Sequence, residues 1–172
     1  EKTQNGSEQA DLIQTAKGSA AHLLAVLNDV LEVSALEAGK IQVRPEPTDM
    51  GDFLQEVHRF LRVQAQNKGL QMQLTGDLHK PRVVMLDPLR LRQILFNVLG
   101  NAIKYTDKGQ VDIRVRRESL SDSVHWEIDI VDTGIGMSEA TQQGLFERFQ
   151  WGDASLTRKQ SGSGLGLEIS RS

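Results

Sequence analysis

The stretch Asp87 to Lys108, DPLRLRQILFNVLGNAIKYTDK, constrains the fold more than any other part of the chain. Asp87-Pro88 is a helix start, because an aspartate side chain caps free N–H groups and proline fits the first helical position. Leu91, Leu95, Val98, Leu99 and Ala102 then recur at helical spacing as one apolar stripe. Asn97, Asn101 and Lys104, spaced four and three apart, make a separate polar stripe. Such a helix reads in two ways. It is an ordinary amphipathic helix with a wet face, or its amides and amine hold a ligand. An amide oxygen suits Mg²⁺, a hard ion that prefers oxygen, and an ammonium suits a phosphate.

Composition narrows the remaining choices. A chain of 172 residues, 38% hydrophobic and 25% charged, suits one ordinary domain with a short appendage and a real core. The net charge of -3 gives no electrostatic case for nucleic acid, and no Lys/Arg cluster marks a membrane surface. With no cysteine, disulfides, thiolate metal sites and cysteine nucleophiles are excluded. No stretch approaches the ~20 apolar residues that span a bilayer, and no signal peptide is visible.

From Asp11 to about Ala38 the pattern is helical. Leu12, Ala16, Ala20, Leu23, Leu27, Val30, Leu31 and Ser34 keep one face small or apolar, and Leu24, Val26, Val33 and Leu36 widen it. A face this apolar is expected to pack on a partner helix. Gly39 ends it, Ile41–Arg44 alternates as a short strand, and Pro45 and Pro47 punctuate. Thr48-Asp49-Met50 opens a second helix to about Asn67, with Phe53, Val57, Phe60 and Leu61 inward, and Lys68-Gly69 stops it. Leu70, Met72 and Leu74 alternate, as do residues Arg82 to Met85, then Val111, Ile113 and Val115, then Val124, Trp126, Ile128 and Ile130. Period two with charged partners facing out marks a sheet with one buried face. The expected fold class is α+β, a two-layer sandwich of a mixed, largely antiparallel sheet with helices on one face, preceded by a long helix.

The central helix is followed by VHWEIDIVDTGIGM, then FERFQ, then SGSGLGLEIS. In this order and at these separations the four segments resemble the N, G1, F and G2 boxes of sensor histidine kinases. That family shares an ATP-binding superfamily with DNA gyrase, heat-shock chaperone ATPases and mismatch-repair ATPases. The likeness covers nearly the whole chain, and HLLAVLNDVLEVSALEAGKIQV resembles the second helix of the kinases' dimerisation hairpin and its exit. It implies the Bergerat-type ATP-binding fold, with residues 1–43 as a partial dimerisation helix and linker and residues 44–172 as the ATP-binding catalytic domain. The family's sheet continues past the helix that Gly164 begins, so the domain is expected to be C-terminally truncated.

The resemblance gives each motif a role. ATP and Mg²⁺ are the implied cofactors, with Asn97, Asn101 and Lys104 serving metal and phosphates, and Asn101 first choice for the metal. Asp132 accepts a hydrogen bond from the exocyclic amine of adenine. Guanine presents a carbonyl there, acceptor against acceptor, so a buried Asp discriminates. Gly134 and Gly136 let backbone approach the ring, and Tyr105 lines the nucleoside. Phe146 and Phe149 anchor a polar loop, Gln150 to Ser163, whose Arg158 and Lys159 stand on the phosphate side. Gly162, Ser163, Gly164, Leu165 and Gly166 bring backbone N–H groups to the phosphates at a helix start, and Ser163 stands where the family often has threonine. Read without the resemblance, Asp132-Thr133-Gly134 is a strand-end turn, and an aspartic-protease reading leaves the asparagine helix without a role.

One departure from the superfamily bears on reaction type. The gyrase and chaperone ATPases carry a water-activating glutamate at the place of Asn97, whereas an amide takes no proton near neutral pH. The site is therefore expected to hold MgATP for an external nucleophile, in this family a histidine in a His-Asp/Glu-x-Arg/Lys-x-Pro box. His22, His58, His79 and His125 all lack that box. The implied activity is a phosphorelay from MgATP to histidine to a response regulator or receiver domain. The implied assembly is a homodimer through the dimerisation helices, located in the cytoplasm of a soluble or membrane-anchored parent. The rival expectations are a non-catalytic regulatory or dimerisation module and a hydrolysing ATPase of the same superfamily.

Overall fold

The computed structural model describes residues 12–13, 15–20, 23–24, 27–28, 30–31, 34–35, 38–40, 42–78, 83–119 and 124–143. The chain divides into two compact units, Gln42–Leu145 on the one hand and Glu1–Ile41 with Phe146–Ser172 on the other. In the latter, the described residues between 12 and 35 are helical, and Leu12, Leu23, Leu24, Leu27, Val30 and Leu31 expose their side chains.

The unit Gln42–Leu145 runs β1 (Glu46–Asp49), α1 (Met50–Asn67), β2 (Gln71–Gly76), β3 (Val83–Leu86), α2 (Pro88–Tyr105), β4 (Gln110–Ser119), β5 (Val124–Asp132) and α3 (Glu139–Gln143). β4 lies between β2, parallel with Gln71 opposite Gln110, and β5, antiparallel with Val111 opposite Asp132. A parallel pair cannot be joined by a tight turn. Here β3 and α2 occupy the crossover. β1 and β3 form a separate antiparallel pair, Glu46 opposite Leu86.

Local chemistry starts both long helices. The Asp49 carboxylate accepts from the Asp52 N–H and caps α1. The Asp87 carboxylate accepts from Leu89 and Arg90, and Pro88 follows at the first position of α2. Both helices turn an apolar face to the sheet. Leu54, Val57 and Leu61 of α1 and Leu95, Leu99, Ala102 and Ile103 of α2 are buried with Met72, Val111, Ile113 and Val115. Each fully buried aliphatic side chain contributes roughly 1.5–3 kcal/mol. This is the expected sandwich with helices on one sheet face.

Two expectations are corrected. Residues 42–45 are exposed and outside the ladder, and the strand is Glu46–Asp49, Pro47 included. Alternation alone does not make a strand; pairing with Val83–Leu86 does. Proline is tolerated because each strand of a two-stranded sheet is an edge. Phe60 does not point inward. It is 59% exposed and stacks on Phe96 of α2, ring centroids 5.3 Å apart.

Candidate functional site

The candidate site is organised by the C-terminal end of α2. Asn97, Asn101 and Lys104 are all half-buried, neither sealed in the core nor fully in solvent. Among the described residues no hydrogen bond engages the Asn101 amide. The Lys104 ammonium lies 4.8 Å from the centroid of the Tyr105 ring, a cation–π contact that holds the amine near the helix end.

The loop after β5 is built onto this end. The Ile135 N–H donates to the Tyr105 carbonyl at 3.3 Å, and the Gly134 N–H donates to Asp132 Oδ1 at 2.8 Å. Thr133 ties the loop to Gln110 of β4: its N–H donates to the Gln110 carbonyl at 3.2 Å, and its Oγ1 accepts from the Gln110 N–H at 3.0 Å. Gly134 is demanded by space. A Cβ there would stand 2.6 Å from the Tyr105 oxygen, 2.7 Å from Asp132 Oδ1 and 3.0 Å from Thr106 Oγ1. Gly136 has φ of 67°, the left-handed region that favours glycine.

Asp132, Gly134, Gly136, Lys104 and Tyr105 are thus brought to one junction, with Asn101 one helical turn before it. Asp132 is exposed rather than buried. Its Oδ1 is engaged by Gly134 while Oδ2 has no partner among the described residues. An exposed carboxylate keeps an acceptor for an incoming amine, but discriminates only once a ligand shields it from water. Arg158, Lys159, Gly162, Ser163, Gly164, Leu165 and Gly166, with Phe146, Phe149 and the loop Gln150–Ser163, lie outside the described residues.

Sequence reasoning missed two contributors. Lys68, read only as a helix stop, donates to the carbonyls of Ile103 at 2.9 Å and Lys104 at 2.6 Å. Thr106 is fully buried at the junction with Gly134, its hydroxyl without a hydrogen-bond partner among the described residues. No local pattern announces either, since both depend on what lies across the fold. At the other end of α2, the backbone N–H groups of Arg44 and then Arg90 hold the Asp87 carboxyl below its usual range. Among the described residues no three His, Cys, Asp or Glu side chains gather as a metal site, and no helix is long and apolar enough to cross a membrane.

The family described as "Histidine kinase-, DNA gyrase B-, and HSP90-like ATPase" matches residues 86–172. The chain is 43% identical over 171 residues to the signal transduction histidine-protein kinase BarA of Escherichia coli (strain K12), covering 99% of this chain and 19% of that kinase. The chain therefore spans about a fifth of the length of such curated relatives. Among solved structures, full-length ShkA in complex with AMPPNP is 31% identical with a TM-score of 0.75, covering 94% of this chain and 32% of that one. The mycobacterial sensor histidine kinase MprB is 30% identical with a TM-score of 0.56, covering 73% and 77%. With residues 86–172 matched by that family model and solved sensor-kinase folds matched at 30% identity and above, the chain belongs to the histidine kinase-, DNA gyrase B- and HSP90-like ATPase family.

Proposed function

We propose that this chain is the ATP-binding catalytic part of a sensor histidine kinase, in which residues 44–172 hold MgATP and residues 1–43 belong to a dimerisation helix and linker. The observation that carries this reading is the junction at the end of α2, where the Asp132 loop is hydrogen-bonded to the Tyr105 carbonyl beside Lys104. On this reading the Asp132 carboxylate is the adenine acceptor and Lys104 the phosphate-side cation, and both belong to segments tied to the end of α2. The residues fit Mg²⁺ as well. This ion keeps several waters and takes few protein oxygens beside substrate phosphates, so it needs no three-residue cluster, and the half-buried residue Asn101 can offer its amide oxygen. Asn97 and Lys104 complete the stripe, and the family resemblance assigns Arg158, Lys159 and the Gly162–Gly166 segment to the phosphates as well.

In the proposed transfer an imidazole nitrogen attacks the γ-phosphorus, the bond to the β–γ bridging oxygen breaks, ADP leaves, and the imidazole gives up its proton. The acceptor is a histidine in the family's acceptor box, which none of His22, His58, His79 and His125 occupies. The phosphoryl group passes on to an aspartate of a response regulator or receiver domain, within a homodimer whose kinase part lies in the cytoplasm. An amide at Asn97 favours an imidazole nucleophile over water, because it cannot act as a general base.

Calorimetry with ATP and GTP, each with and without Mg²⁺, tests nucleotide use. Incubation with labelled ATP and a partner helix carrying the acceptor box tests transfer. The expected result is Mg²⁺-dependent preference for ATP and acid-labile label on the partner histidine. Tight ATP binding without any transfer would point instead to a regulatory module.

A further inference from the structure

We infer that Lys68 is a positioning residue for the nucleotide site, acting through the last turn of α2; the inference rests on the nucleotide-binding reading above. The last carbonyls of a helix have no partner within it and must be satisfied from elsewhere. In α2 three consecutive carbonyls are taken, and from two sides. Lys68 Nζ donates to Ile103 O at 2.9 Å and to Lys104 O at 2.6 Å, while the Ile135 N–H donates to Tyr105 O at 3.3 Å. One turn thus joins the end of α1 to the loop that carries Asp132, and its middle member, Lys104, is the phosphate-side cation.

The geometry of Lys68 is itself fixed. As the C-cap of α1 its N–H donates to the carbonyls of Gln64 and Ala65, and its ammonium also lies 3.7 Å from Asp107 Oδ1. A cation at a helix C-terminus is favourable, and a charged donor makes a stronger hydrogen bond than a neutral one. Without it, the Ile103 and Lys104 carbonyls would turn to water and the last turn would fray. The Tyr105 carbonyl would then lose its fixed direction, and with it the Ile135 and Gly134 contacts that place Asp132. Lys68 touches no ligand in this scheme. It determines where Lys104 and the loop stand.

The test compares Lys68→Met, Lys68→Arg and Glu56→Gln in the full chain, at a temperature where circular dichroism shows each folded. Glu56 pairs with Arg92 across the same two helices, distant in sequence from the site turn, and serves as the control for loosened helix packing. Lys68→Met is expected to weaken ATP binding roughly three- to tenfold and to speed hydrogen exchange at the Ile135 amide. Lys68→Arg should restore much of both, and Glu56→Gln should change neither. Where the parent binds ATP, the inference is overturned if Lys68→Met binds it equally well, or if Glu56→Gln weakens binding as much as Lys68→Met does. Exchange at Ile135 is read without nucleotide, so it decides the inference even if the parent chain binds no ATP: unchanged exchange in Lys68→Met overturns it, and faster exchange rescued by arginine supports it.

Discussion

The Arg44 backbone N–H donates to Asp87 Oδ2 at 2.9 Å, so the carboxylate that caps α2 also fastens the strand-entry segment to that helix. The same side chain accepts from Leu89 and Arg90 through its other oxygen. Three backbone donors converge on one acidic group, and the family match begins beside it, at residue 86.

Those donors favour the ionised form, first the Arg44 N–H and then the Arg90 N–H, and the Asp87 pKa is lowered from its ordinary 3.8. A carboxyl depressed on folding contributes stability that is present above the unfolded value and lost as pH falls through the folded one. Asp87→Asn is therefore expected to lower the melting temperature at pH 7. The gap between the two proteins should close as pH falls below 3.8. Melting curves of both from pH 7 to 3 check it, and a gap unchanged at the acid end would refute the linkage.

Asp132→Asn keeps the shape but replaces a charged acceptor with a neutral amide. A hydrogen bond to a charged group is worth about 1.5–3 kcal/mol. ATP affinity should fall by about one to two orders of magnitude, and the preference over GTP should narrow. Calorimetry showing unchanged ATP affinity would remove Asp132 from the site.

Gly134→Ala places a methyl group 2.6 Å from the Tyr105 oxygen, too close for either backbone to stay put. The expected outcome is a displaced loop, a stability loss of roughly 1–3 kcal/mol, and weaker nucleotide binding. A crystal structure of the variant with the Ile135–Tyr105 hydrogen bond intact would count against the claimed close approach.

Leu99 is fully buried where α2 meets the sheet. Leu99→Ala removes apolar contact and leaves a cavity, at a cost of about 2–5 kcal/mol. Urea unfolding should show a lower midpoint with an unchanged slope.

What the sequence made legible was the chemistry of neighbours. Asp87-Pro88 reads as a helix start because cap and proline act within three residues, and the buried Leu95, Leu99 and Ala102 follow from helical spacing. Gly134 and Gly136 were legible as glycines that a tight loop needs. Phe60 was not. It lies next to buried Leu61, and only the position of Phe96 on α2 makes stacking at the surface its resting place. The first strand was misplaced because Ile41–Arg44 alternates as well as Glu46–Asp49 does poorly, and the partner at Val83–Leu86 decides between them. Lys68 reaches carbonyls more than thirty residues away, a contact no window of sequence contains.

The final prediction separates the two partners on the polar stripe. If Asn101 serves Mg²⁺ and Lys104 serves a phosphate, their losses differ in what each makes ATP binding depend on. Asn101→Ala should raise the Mg²⁺ concentration needed for half-maximal ATP binding while leaving metal-free AMP binding nearly unchanged. Lys104→Met should weaken ATP more than AMP at every Mg²⁺ concentration, because the missing ammonium meets a phosphate that AMP lacks. It also frees the Tyr105 ring of its cation, 4.8 Å away, which affects both nucleotides alike and so cancels in the ratio. Titrations of ATP and AMP across Mg²⁺ concentrations read both effects at once. Identical Mg²⁺ dependence in Asn101→Ala and the parent would take the metal away from Asn101.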